Sequence, residues 1–143
     1  MEFMEEIIAP VDRELIKSEL TKDAFLRYTN NGNNEVYLVN YHSAPNIMQE
    51  IGRLREVTFR NAGGGTGLSI DIDENDTCVN KYDQLIAWNT EDEEIIAGYR
   101  VIRCDQAMDN EGVLHLSTSH YFQFSEEFIN DYNFHKYFIR LAD

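Results

Sequence analysis

Three carboxylates at short spacing, Asp71, Asp73 and Asp76, stand between two sets of arginines, Arg53, Arg55 and Arg60 before them and Arg100 and Arg103 after. From Asn61 to Tyr99 there are nine acids and one base, Lys81. Such a block suits a cationic or amine-bearing substrate, and the flanking arginines can receive an anionic one, because a guanidinium pairs a carboxylate through two parallel hydrogen bonds. A solvated acidic surface accounts for the same pattern and stays open as the alternative. In an extended segment Asp71 and Asp73 point to one side, and Ile70 and Ile72 to the other.

The element that must position the arginines is a helix beginning at Pro45. At about 100° per residue, Ile47, Ile51, Leu54 and Thr58 share one narrow arc and form the core stripe. Arg55 and Phe59, an i,i+4 pair, lie with Met48 on its flank, so Arg55 is the arginine placed to be half-buried and useful. Arg53, Glu56 and Arg60 occupy the far face, as surface charges or partner contacts. Ser43 or Asn46 can cap the helix, and Pro45 tolerates an early position without an N–H.

After the helix, AGGGTG (residues 62–67) makes a turn with mobile hinges. Its glycines invite a phosphate reading. A P-loop requires a lysine that is missing here. RNAGGG does spell the R-x-x-G-x-G pattern that binds a pyrophosphate, but it follows a helix C-terminus, the wrong end of the dipole for an anion. A calcium loop fits Asp71, Asp73 and Asn75 at the first three ligand positions, yet Asp76 replaces the required glycine and Tyr82 the bidentate glutamate. A divalent site of another geometry remains a third reading, and no metal ligand is assigned.

The remaining segments supply scaffold. Residues 11–29 have helical apolar spacing, so residues 1–34 are expected to be a helical N-terminal segment; NNGNN is a turn and Glu35–Tyr41 a strand. Lys81–Asn89 and Glu94–Arg103 read as an antiparallel hairpin, with Gly98 marking a bulge or a close approach of ligand, and Arg100 on the same face. Val113–Ser119 suggests a short strand, and Ser125 caps a helix with Phe128, Ile129, Tyr132 and Phe134 for packing. His42, His115, His120 and His135 are too scattered for a relay. The class is α+β, with helices on a mainly antiparallel sheet.

At 143 residues the chain suits one domain, and a net charge of −14 argues against nucleic acid. Cys78 and Cys104 form no CxxC pair, which fits reduced thiols and a cytoplasmic setting. No apolar run is long enough for a membrane span, and the acidic start is unlike a signal peptide.

Taken together, R-L-R-E-x-x-F-R, G-G-G-T-G, D-x-D-x-x-D, Y-D-Q-L-I-A-W-N and G-Y-R resemble the ornithine-lipid and glycine-lipid N-acyltransferases of the GNAT superfamily, often labelled hemolysin-like, in a Bacteroidetes-type variant. They are more distantly similar to acyl-homoserine-lactone synthases. The resemblance implies transfer of a 3-hydroxy fatty acyl group from acyl carrier protein, or from coenzyme A, to the α-amine of ornithine or glycine in aminolipid synthesis, without a bound cofactor. It assigns catalytic positions to Asp71, Asp73 and Asp76 and substrate binding to Arg55, Phe59 and Arg100. An acidic carrier would dock on Arg53 and Arg60, and the lipid product would bring peripheral membrane contact. Past the FSEEF segment the pattern departs from the family. Residues 1–143 are therefore expected to be the N-terminal part of a GNAT-like fold, cut short, able to fold as a homodimer that covers open sheet edge but not to catalyse efficiently alone. Two readings of other classes stand beside it: a non-catalytic binding or assembly module, and a metal-binding domain.

Overall fold

The computed structural model describes residues 3–78, 81–113, 115–116 and 125–127, and the backbone of 139–142. Strands β1 (Phe25–Tyr28), β2 (Glu35–Val39), β3 (Asp83–Asn89), β4 (Glu94–Arg103) and β5 (Ile139–Ala142) join edge to edge in chain order into one sheet, every pair antiparallel. Helix α1 (Arg13–Glu19) precedes the sheet, while α2 (Pro45–Asn61) and the single turn α3 (Glu74–Thr77) fill the long connection from β2 to β3. This is the expected α+β class, with helices on an antiparallel sheet.

Strict alternation builds the sheet's inner face. In β3 every second residue is buried, so Gln84, Ile86 and Trp88 point inward. With Tyr37 and Val39 of β2, the apolar members of that set meet Ile47, Met48 and Ile51 of α2 and Ile16 of α1 in the main core. A satellite cluster joins Tyr82, Ile102, Cys104, Ala107 and Leu116. The stripe on α2 divides along its length. Ile47 and Ile51 enter the core, Leu54 is half-buried, and Thr58 is exposed.

Several local expectations are corrected. Phe25–Tyr28, assigned from its spacing to the helical segment of residues 1–34, is a strand. The Asn-rich turn, with Gly32 at φ 85° and Asn33 at φ 52°, folds it back onto β2, and pairing overrides the local period. Neither Ser43 nor Asn46 caps α2: Ala44 holds the cap position, and the Glu19 carboxylate at the end of α1 accepts from Asn46 N at 2.8 Å and Ile47 N at 3.0 Å. A carboxylate there satisfies orphan N–H groups and meets the positive end of the dipole. The β3–β4 irregularity falls at Ala87/Trp88, with Ala97 and Ile95 as their partners, and not at Gly98, which pairs regularly with Ile86. Val113, His115 and Leu116 are not in a strand; residues 114 and 117–119 lie outside the described residues, as do Phe128, Ile129, Tyr132 and Phe134. Strand β5, not anticipated from its sequence, pairs only with Arg100–Arg103, so among the described residues the outer edge of β4 from Glu94 to Tyr99 has no strand partner.

Helix α2 and the acid ladder are held at the closest possible approach. A Cβ on Gly52 would come within 2.6 Å of Ile70 and 2.7 Å of Ile72, and Gly52 O accepts from Asp71 N at 3.1 Å. Ile70 and Ile72 do face one side together, against the helix.

Candidate active site

Between the second half of α2 and the Ile95–Arg100 stretch of β4 lies a pocket of about 330 Å³. The helix contributes Ile51, Leu54, Arg55, Thr58 and Phe59, and the strand contributes Ile95 to Gly98 and Arg100. Its wall is mainly apolar, and Arg55 and Arg100 are the basic groups among the described residues that line it. The size lies at the small end of the range for ligand sites.

The acids secure these arginines. Asp76 is fully buried and accepts from Arg55 Nη1 at 3.0 Å, Gln84 Nε2 at 2.9 Å and Asp73 N at 3.0 Å. Arg55 also donates through Nη2 to Gln84 Oε1 at 2.9 Å and through Nη1 to Asp71 O at 3.4 Å. Gln84 thus uses both ends of its amide within one network. Arg100, paired with Gln84 in the β3–β4 register, donates from Nη1 to both Asp73 oxygens at 2.9 Å, lies 3.8 Å from Asp76 Oδ1 and covers the Tyr82 ring at 5.4 Å. Asp73 also caps α3 in a capping box with Asp76. Burial alone would push the Asp73 carboxyl up, but the Arg100 hydrogen bond and charge outweigh it and hold it below its usual value.

Asp71 differs from its two neighbours. Half-buried, its carboxylate has no hydrogen-bond partner among the described residues. Desolvation raises its pKa; Arg55 opposes the shift, while Glu56, Asp73 and Asp76 add to it. The ladder therefore separates into one poised carboxylate, one arginine partner and one buried anchor.

Arg53 and Arg60 were expected on a solvent face with Glu56, and the structure corrects this. Arg53 is 18% exposed and pairs with buried Glu50, with Nη2 to Oε2 at 3.1 Å; Arg60 is 17% exposed and donates from Nε to Glu56 Oε2 at 2.8 Å and from Nη2 to Leu68 O at 2.8 Å. That face of α2 is covered by the N-terminal segment and by residues 62–69. Phe59 lines the pocket and is exposed.

Nor is the glycine turn a free hinge. Gly63, at φ 88°, ends α2 in the left-handed conformation that glycine adopts readily. Beyond it the Glu56 carboxylate accepts from Thr66 N at 2.8 Å, the Thr66 hydroxyl and Gly67 N at 3.3 Å. The Thr66 hydroxyl lowers the Glu56 pKa most; desolvation opposes it, and the Thr66 amide, Arg60 and the Gly67 amide lower it further, to about 2. A depressed folded pKa stabilises the protein above the unfolded value, near 4.5, and that contribution disappears as pH falls through about 2. The stability difference between the wild type and Glu56→Gln is expected to shrink steadily from pH 4.5 to pH 2 in urea titrations. A difference that stays constant over that range would show that the charge of Glu56 does not hold the loop.

Glu56, Gln84 and Tyr82 are the residues that sequence reasoning passed over. Gln84 carried a signal: alternation along DQLIAWN puts this amide among the inward residues, where a polar group needs partners. His115 pairs with Asp109 at 2.8 Å, and His42 packs edge-on against Tyr41; His120 and His135 lie outside the described residues. Cys78 is exposed and Cys104 is buried, and the two form no disulfide with each other. Among the described residues no three His, Cys, Asp or Glu side chains are grouped to hold a metal ion, and no helix is long and apolar enough to cross a membrane.

An antiparallel sheet, the helices packed on it and a pocket between α2 and β4 make an α+β domain. The acetyltransferase (GNAT) domain matches residues 54–135, and the chain belongs to this family. It is 57% identical over 130 residues to a glycine N(alpha)-acyltransferase of Bacteroides thetaiotaomicron, covering 90% of this chain and 39% of that protein. With a protein of the same name from Phocaeicola vulgatus it shares 52% identity over 130 residues, covering 90% of this chain and 40% of that protein. The chain thus spans about two fifths of the length of these curated relatives. No solved structure matches it.

Proposed function

We propose that this chain is the acceptor-side part of an N-acyltransferase that moves a fatty acyl group from a carrier thioester to the α-amine of an amino acid. The observation that carries the reading is the apolar pocket bounded by Arg55 and Arg100, with the ladder of carboxylates behind them. The name that the two relatives share favours glycine over ornithine as acceptor. The donor is acyl carrier protein or coenzyme A, and a 3-hydroxy acyl chain leading to an aminolipid is the finer form of the proposal.

In this reading the acyl chain occupies the apolar wall and the amino acid sits at its polar end. Arg100 offers the acceptor carboxylate a guanidinium; the ammonium group meets Asp73 and Asp71. An α-amine is mostly protonated at neutral pH, so a proton must leave before attack. Asp71, whose raised pKa makes it a better base than an ordinary aspartate, takes it directly or through water. The amine nitrogen then attacks the thioester carbon: a C–N bond forms, the C–S bond breaks, and the carrier thiol departs. Arg55 and Asp76 are positioning residues. A carrier docking on Arg53 and Arg60 competes with Glu50 and Glu56 and should weaken sharply with salt.

Calorimetric titration of an N-acylglycine into the chain tests this reading. Saturable binding is expected, weakened about 10- to 100-fold by Arg100→Ala, the value of a hydrogen bond to a charged group. Absence of saturable binding would overturn it. Binding without N-acylglycine synthesis, even when the chain is extended to the length of its relatives, would favour a non-catalytic module.

A further inference from the structure

A second cavity, of about 150 Å³, lies beyond the pocket, bordered by Pro10, Val11 and Ile16 and by the charged groups of Glu50, Arg53 and Glu93. Leu54 and Ile95 line both spaces. One residue comes from α2 and the other from β4, and both are half-buried. These two side chains are therefore the partition between an apolar pocket and a polar chamber nearly half its size.

We infer that Leu54 and Ile95 form the end wall that sets the longest acyl chain the pocket accepts. The inference rests on the reading that the pocket holds the acyl group. Its polar end is at Arg100, and from there back to Ile95 is about 17 Å of extended strand, so β4 itself is the ruler. A chain that continues from the pocket toward the second cavity must displace Leu54 and Ile95. Beyond them it meets the Glu50–Arg53 pair, whose desolvation by methylene groups is unfavourable. The stop is steric first and polar second. Phe59 lines the pocket but not the second cavity, so it is no part of the wall.

The test is a series of saturated N-acylglycines of increasing length, titrated into the wild-type chain and into Leu54→Ala, Ile95→Ala and Leu54→Phe. In the wild type each added methylene should tighten binding about fourfold until the chain reaches the wall, after which affinity levels off or falls. Both alanine variants should move that break to longer chains, gaining about fourfold for each methylene past the wild-type limit, and Leu54→Phe should move it to shorter ones. For the shortest ligands, which do not reach the wall, the variants should show the same gain in affinity per methylene as the wild type. Thermal unfolding of each variant checks that it is folded; should Leu54→Ala not fold, the milder Leu54→Val and Ile95→Val carry the same comparison. Length dependence with an unmoved break would overturn the wall while leaving the acyl pocket in place. No length dependence in the wild type would instead defeat the pocket reading on which the wall rests.

Discussion

Asp76→Ala is expected to destabilise the chain by about 3–5 kcal/mol, the usual loss when one member of a buried ion pair is removed. The carboxylate is fully buried and takes three hydrogen bonds, from Arg55, Gln84 and the Asp73 amide. Without it the half-buried Arg55 guanidinium keeps only Gln84 and the Asp71 carbonyl, and the Gln84 amide loses its acceptor. Against a typical total of about 5–15 kcal/mol, that is a large fraction. Guanidinium unfolding should show a much lower midpoint with an unchanged slope. A loss below about 1 kcal/mol would show that water replaces the carboxylate and that Asp76 is no anchor.

Asp71→Asn, five residues away, is expected to do the opposite. In the chain extended to the length of its relatives, kcat for N-acylglycine formation should fall about 10²- to 10⁴-fold, the usual contribution of a positioned base. Stability should not fall. A carboxylate whose folded pKa is raised binds its proton more tightly in the folded state, so at neutral pH its charge opposes folding, and asparagine removes that opposition. The acid limb of kcat/KM, set by Asp71 in the wild type, should shift in the variant. An unchanged kcat would remove Asp71 from the chemistry. The pair of variants separates two roles that the sequence presents as one ladder.

That merging shows what could and could not be read from residues alone. The α2 core at Ile47 and Ile51, the hairpin from Asp83 to Arg103 and the half-buried position of Arg55 follow from periodicity, because a buried stripe and a pleated strand impose their own spacing. Phe25–Tyr28 was misread because a four-residue strand has too little pattern to outweigh its neighbours, and its partner lies beyond a turn. The roles of Arg53, Glu56 and Arg60 were out of reach for another reason: a helical wheel gives an angle but not what covers it. Nothing in the spacing of the three aspartates distinguishes the one tied to Arg55 from the one left unpaired. That distinction depends on Gln84, which reaches the site from a strand whose register with Arg100 is set by tertiary pairing.

The Glu56 contact at the end of α2 has a consequence for where a donor can be held. Backbone amides in a glycine-rich turn are a common seat for phosphate, and those of Thr66 and Gly67 point at an oxygen anion. The anion is the protein's own. A nucleotide or phosphopantetheine phosphate arriving at this turn would meet a full negative charge already using the donors it needs, and would have to expel a carboxylate that also holds Arg60. The turn is an anion seat that the protein fills with its own carboxylate.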